Sequence, residues 1–380
     1  MLFLVSITGG LVLLYAVLFI LFRQWWNQVP LFLGEVHSKD IPCTRISVII
    51  PARNEETNIG ACLQSILQQN YPAALLEIIV VDDHSTDKTA AIVQSFRSPL
   101  IHLISLTDDS DGSWRSPKKY AIETGIKKAL GQLIVTTDAD CVCEPGWLTD
   151  IEQYYRISGK KFIAAPVKIN SGHSLLSRFQ SLDFLTMQGI TAAVVYKQFM
   201  NMCNGANLAY EKAVFFEVGG FSGIDTIASG DDMLLMHKVA RRYPGCTGYL
   251  KSKEAIVTTA PALTWKDFIQ QRIRWASKAT NYKEPTIFLV LLLVYLTNFS
   301  IFVLLVLSFL QYHYFLYFLA ILFIKFMAEL IFVRGIAEFF NQQRLLIYLL
   351  VLQPVHIMYI IVSGFFGQFR TYQWKGRKLK

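Results

Sequence analysis

Four long apolar segments, one opening the chain and three crowded toward its end, limit the fold more than any other feature. Residues 1–22 carry no charge and, as a helix, are long enough to cross ~30 Å of hydrocarbon. Arg23, Trp25 and Trp26 come next, and such residues suit the headgroup layer. The stretch lacks the basic start and small-residue cleavage pattern of a signal peptide, so it reads as a retained anchor. Residues 286–310, 314–333 and 345–366 repeat the pattern and help lift the apolar fraction to 53%. Gln353-Pro354 and His356 mark the last segment as a broken or re-entrant helix. Lys325 and Glu329 sit one helical turn apart inside the middle segment, either as a structural pair or as a functional one. The closing Lys375, Arg377, Lys378 and Lys380 favour the cytosol. Three full crossings from a cytosolic domain would put that tail outside, so either one segment does not cross or the tail breaks the tendency.

Between these ends the pattern changes to short apolar runs alternating with polar helical stretches. Residues 46–50 (ISVII) read as a buried strand stopped by Pro51, and 58–69 as a helix. Residues 77–81 form a second strand ending at Asp82-Asp83, and Thr86-Asp87-Lys88-Thr89 opens the next helix. A third strand at 101–106, a helix at 120–130 and a fourth strand at 132–137 complete a β-α-β-α order. That order implies an α/β fold with a mainly parallel sheet covered on both faces. Residues 174–197 are apolar enough either for a helix lying in the membrane interface or for an ordinary core helix.

The formal charge of +8 suits anionic lipid or a diphosphate ligand. The basic residues form no dense central patch, which disfavours nucleic acid. The six cysteines make no C-x-x-C pair and no His cluster completes a zinc site, so they read as free thiols in a reducing compartment.

In a parallel sheet, ligands bind beyond the carboxyl ends of the strands. Asp82-Asp83 and Asp138-Ala139-Asp140 fall at such ends. Carboxylates at i and i+2 can hold Mg²⁺ or Mn²⁺ together with a diphosphate, although a solvated turn accounts for the same triplet. The loop Pro51-Ala52-Arg53-Asn54-Glu55-Glu56 can face a base and ribose, and Lys118 and Lys119 can meet phosphate or simply be solvated.

Six stretches in order resemble inverting family 2 glycosyltransferases with the GT-A fold: SVIIPARNEE (47–56), VVDDHSTD (80–87), KKYAIETGI (118–126), TDAD (137–140), SGDDMLL (229–235) and QRIRW (271–275). The resemblance implies an anchor over 1–24, a cytosolic GT-A domain over 45–262 and an interfacial helix with QxxRW over 263–284. Beyond these it implies a transmembrane region over 286–368 and a basic tail over 369–380. It also implies roles. Pro51, Arg53, Glu55 and Asp83 would hold the base, Lys118 the nucleotide, Asp138 the ribose or metal, and Asp140 the metal. Asp232 would be the general base with Asp231 its competitor. Gln271, Arg274 and Trp275 would lie over the diphosphate and acceptor channel, and Asn204, Gly205 and Asn207 on the acceptor side. The implied enzyme uses Mg²⁺ or Mn²⁺ and a nucleotide diphosphate sugar, UDP by family habit, at the bacterial inner membrane.

Two departures bear on the reading. The family often has Glu-Asp where this chain has Asp231-Asp232. QxxRW is frequent in processive polysaccharide synthases, but the few membrane segments here favour a single transfer to a lipid. WKGR at 374–377 resembles the tail of bacterial enzymes that glycosylate carotenoids.

Overall fold

The computed structural model describes residues 2–34, 43–106, 116–225, 227, 230–277, 284–368, 372–374 and 377–379. In chain order the elements begin α1 (Leu2–Gln28), β1 (Ile46–Ala52), α2 (Ile59–Leu67), β2 (Leu76–Asp82), α3 (Thr89–Ser95), β3 (Ile101–Ser105), α4 (Pro117–Lys128) and β4 (Leu133–Thr136). Next come β5 (Cys141–Cys143), α5 (Trp147–Ser158), β6 (Phe162–Ala164), β7 (Val167–Ile169), α6 (Leu175–Tyr196), β8 (Leu208–Glu211), α7 (Lys212–Glu217) and α8 (Met233–Arg242). The series continues with β9 (Thr247–Tyr249), β10 (Val257–Thr259), α9 (Trp265–Ala276), α10 (Pro285–Ser308), α11 (Tyr312–Phe339), α12 (Tyr348–Val351) and α13 (Gln353–Gly367).

The chain divides into two compact units. One gathers Pro30–Lys168, Asn201–Ala260 and Gln373–Lys380; the other gathers Met1–Val29, Ile169–Met200 and Pro261–Tyr372.

The first unit is α/β. Its seven-stranded sheet runs β3-β2-β1-β4-β8-β6-β9. β3, β2, β1 and β4 are mutually parallel. β8 runs antiparallel to both β4 and β6, and β9 pairs parallel with β6. The central strands are buried throughout except for the half-buried Pro51, as a sheet covered on both faces requires. Pro51 does not end β1, contrary to the sequence expectation. β1 pairs with β4 only as far as Ile49, while its pairing with β2 continues through Ala52. A proline is tolerated there because one side of the strand has already lost its partner. Gly125 on α4 lets that helix approach the sheet, since a Cβ would lie 2.8 Å from Cγ2 of Ile49.

The second unit is helical. Among the described residues, three of its helices are long and apolar enough to cross a membrane: Phe3–Gln28, Pro285–Ser308 and Tyr312–Phe339, with mean hydropathies of 2.5, 2.6 and 2.3. Gln343–Val351 and Gln353–Gly367 meet at a 75° bend, the break anticipated at Gln353-Pro354, and would make a fourth span if counted as one. α1 runs through Arg23 to Gln28, and Trp26 is buried edge-on against Phe339 at 5.6 Å. Of the two readings of 174–197, the packed helix holds: Ser174 caps α6 and most of its side chains are buried. Gly189 of α6 faces Ile336 and Phe332 of α11 with no room for a Cβ, the small-residue contact that lets helices close on each other in lipid. Lys325 and Glu329 pair at 2.6 Å with both side chains buried. Half of the basic tail (369–371, 375–376 and 380) and Ser229 lie outside the described residues.

Candidate active site

The loops after β1 and β2 are laced together at the carboxyl edge of the sheet. Asn54 and His84 both sit in the left-handed region, with φ of 50° and 55°, a conformation that Asn accepts readily and His less so. The Asn54 carboxamide oxygen accepts from Thr86 N at 2.8 Å, and Glu55 N donates to the Thr89 hydroxyl at 2.8 Å. Arg53 Nη1 donates to the Asp83 carbonyl at 2.6 Å and stands 3.8 Å from its carboxylate. His84 Nδ1 lies 3.0 Å from the same carboxylate. The side chain of Asn58 donates to Glu55 at 3.0 Å. Arg53, Glu55 and Asp83 therefore form one braced polar platform, with Pro51 just behind it in β1.

The second half of the site assembles around Lys118. Its ammonium lies 2.7 Å from Asp138 and 3.2 Å from Asp231, tying the loop after β4 to the loop before α8. Burial alone would lower the lysine, but Asp138 and then Asp231 outweigh it and hold its pKa above the ordinary value. Asp232 caps α8 by accepting from Met233 N at 2.7 Å, and its other oxygen accepts from Gly205 N at 3.3 Å. Gly205 is pressed into this group: a Cβ would lie 3.1 Å from Oδ2 of Asp231 and 3.6 Å from Nζ of Lys118. The Thr136 hydroxyl reaches back to the Gly205 carbonyl at 3.3 Å.

Asp140 accepts from Thr259 Oγ1 at 3.2 Å, and Cys141 Sγ lies 3.6 Å from its other oxygen. Burial, then the charges of Asp138 and Glu55, push the Asp140 carboxyl up to about 6. Negative charge is thus concentrated at Asp140. Burial also raises the Cys62 and Cys141 thiols, so both stay neutral and are poor metal ligands. No group of three or more His, Cys, Asp or Glu side chains gathers as a metal cage among the described residues. An open pair of carboxylates is the donor set that Mg²⁺ or Mn²⁺ uses when it keeps waters and shares a diphosphate, so Asp138 and Asp140 fit such an ion.

The remaining site candidates are placed differently. Asn207 is fully buried, and its amide is engaged by Trp147 Nε1 at 2.9 Å and by the carbonyls of Pro166 and Ala255 at 2.8 Å each. It fixes the loop from behind, while Asn204 Oδ1 turns that loop by accepting from Ala206 N at 2.9 Å. Gln271, Arg274 and Trp275 lie on α9 of the helical unit and are half-buried. Arg272 between them is buried, 2.7 Å from Asp183 and over the Trp275 ring at 4.2 Å.

Two lysines emerge that the sequence did not single out for this role. Lys119 is fully buried, and its ammonium donates to the carbonyls of Ile224 and Ile227 at 2.6 and 2.7 Å. Lys238 donates to Gly220 and Ser222 carbonyls at 2.6 and 2.9 Å. Together they hold the carbonyls of Gly220, Ser222, Ile224 and Ile227. The signal for Lys119 was present: it shares the buried face of α4 with Ile122 and Ile126.

Residues 47–223 match the family described as Glycosyl transferase family 2. Probable glycosyltransferase YdaM of Bacillus subtilis is 29% identical over 252 residues, covering 63% of this chain and 55% of that protein. The 4,4'-diaponeurosporenoate glycosyltransferase of Staphylococcus aureus is 40% identical over 95 residues, 25% of this chain and 24% of that one. The chain thus spans about half the length of the first relative and a quarter of the second. Among solved structures, the mannosyltransferase PcManGT from Pyrobaculum calidifontis, in complex with GDP-Man and Mn²⁺, has a TM-score of 0.56 at 19% identity. That likeness covers 93% of this chain and 97% of the other, and it shows a shared GT-A fold. The α/β, mainly parallel architecture expected for a family 2 domain is the one observed.

Proposed function

We propose that this chain is a glycosyltransferase that moves a sugar from a nucleoside diphosphate donor, UDP first among them, to a hydroxyl of a membrane lipid with inversion at the anomeric carbon. The observation that carries this reading is the cluster in which Lys118 joins Asp138 to Asp231 while Gly205 packs beside Asp231 and Asp232. On this reading the cluster would set a nucleotide edge, a cation edge and a proton acceptor side by side. The base stacks at the Arg53–Glu55–Asp83 platform. Asp138 and Asp140 hold Mg²⁺ or Mn²⁺, which when bound neutralises charge developing on the leaving diphosphate. Asp231 is committed to the Lys118 ammonium, whereas Asp232 is aimed by two backbone N–H groups, so Asp232 takes the proton from the acceptor hydroxyl as it attacks. Direct displacement inverts the centre and needs no covalent intermediate. Gln271, Arg274 and Trp275 are assigned to the diphosphate and acceptor, and Asn204 and Gly205 to the acceptor side with Asn207 holding them in place.

A lipid acceptor is supported by the helical unit, with its three helices able to cross a membrane, and by the name of the Staphylococcus aureus relative. The α/β unit is assigned to the cytosolic side of a bacterial inner membrane. The test is to incubate purified protein with native lipid extract, a panel of UDP- and GDP-sugars and Mn²⁺ or Mg²⁺, and to weigh the products by mass spectrometry. A lipid heavier by one sugar supports the reading. A ladder of masses replaces it with a processive synthase, and release of no sugar from any donor overturns it.

A further inference from the structure

The break between α12 and α13 borders a cavity of about 40 Å³ inside the helical unit, room for roughly three water-sized groups. Its polar side includes Asp183, Glu329, Gln353 and His356, and its apolar side includes Phe179 and Leu349. Glu329 is fully engaged: Lys325 pairs with it at 2.6 Å, Tyr15 donates to it at 2.6 Å, and the Gln353 amide donates to its second oxygen. Gln353 in turn accepts from Lys325 at 2.7 Å. Asp183 accepts from Tyr359 at 2.5 Å through Oδ1 and faces Arg272 at 2.7 Å through Oδ2. The two carboxylates are thus matched by two cations, and the carboxylates line the cavity while Lys325 and Arg272 do not.

One atom at this wall remains without a hydrogen bond or ion pair among the described residues: the buried His356 Nδ1, a ring nitrogen able to donate. Asp183 Oδ2 is ion-paired with Arg272 and keeps a lone pair for a further donor. Leaving the ring nitrogen dry costs about 1–3 kcal/mol. A hydroxyl can accept from the imidazole and donate to the carboxylate. An anionic headgroup is disfavoured, because it would meet the two carboxylates first. Phe179, Leu182, Val333 and Leu352 also line the cavity and suit hydrocarbon.

We propose that this cavity binds the hydroxyl end of a long-chain lipid alcohol in preference to a lipid phosphate. The inference concerns binding alone and stands or falls independently of sugar transfer. The test uses full-length protein in nanodiscs and a long-chain alcohol bearing a diazirine. Light should label peptides around 179–186 and 349–356, unlabelled alcohol should displace the probe, and the long-chain phosphate of equal length should not. His356→Leu should weaken labelling roughly three- to ten-fold, the worth of one neutral hydrogen bond. Val333→Phe, which fills the space, should abolish it, with unchanged nucleotide binding reporting a folded chain. Equal competition by the phosphate overturns the proposal. So does labelling spread over lipid-facing helices and indifferent to both variants, or labelling that is absent in the wild-type protein.

Discussion

Asp140 and Asp232 occupy different electrostatic settings, and that difference separates their expected phenotypes. Asp140 is ionised only against the pull of burial, Asp138 and Glu55. Its raised pKa means that the charged form weakens the metal-free fold: the penalty is full above about 6 and fades as pH falls toward the ordinary carboxylate value. A cation reverses that penalty. Mn²⁺ should therefore raise the melting temperature more at about pH 7.5 than at about pH 5, and Asp140→Asn should remove both the shift and metal-dependent turnover. Retained turnover in Asp140→Asn would sink the metal assignment. Asp232→Asn should leave donor binding, measured by calorimetry, nearly unchanged while reducing kcat at least about 10²-fold. The same loss in Asp231→Asn, with Asp232→Asn active, would move the base by one residue. Lys119 works at one remove from this chemistry. Lys119→Met strands two carbonyls and should destabilise the protein by about 1–3 kcal/mol. It should also lower kcat more than it changes KM, and hasten amide exchange near Asp231. Lys119→Arg should recover part of both. A drop in melting temperature with kcat untouched would confine Lys119 to stability.

At the scale of elements, α11 buries charges that hydropathy alone would forbid in so apolar a helix. Lys325 and Glu329 are buried in contact with each other. Removing one partner leaves the other charge uncompensated, which costs about 3–5 kcal/mol, whereas removing both can be nearly neutral. Lys325→Met alone should therefore sharply lower thermal stability in detergent, and Lys325→Met with Glu329→Gln should restore much of it; additive losses would refute the pairing. This pair was legible in the sequence because its spacing is one helical turn. So were β1, β2, α4 and β4, whose apolar runs have the lengths and periods of their elements. The Asp183–Arg272 pair was not legible: nothing in local spacing says that α6 and α9 meet. Asn207 carried no local mark of its burial either, because an asparagine held by a tryptophan and two distant carbonyls looks in sequence like any loop asparagine. The Asp pairs stood out because carboxylates at the end of an apolar run break its pattern, although Asp82 and Asp83 themselves stay buried. Their relation through Lys118 depended on bringing α4, the loop after β4 and the start of α8 together.

At the scale of the molecule, the helical unit is assembled from three separated stretches of chain, and α6 belongs to it although it lies inside the family 2 match. Trimming the ends therefore does not yield a water-soluble domain. Deleting residues 1–29 should leave the protein in the membrane fraction after ultracentrifugation, because α6 and α11 would bare the faces that α1 covers. A soluble, donor-binding product from that deletion would contradict the packing of α6.

The sheet order adds a consequence for how the protein is made. β8 lies between β4 and β6, yet it is synthesised after α6. The ribosome must release a helix destined for the apolar unit before the strand that joins the two halves of the sheet exists. α1, which precedes the whole sheet in the chain, waits still longer for α11. Insertion and sheet closure are thus steps of a single maturation, and a chain translated away from a bilayer should stall as an open-edged, aggregation-prone intermediate.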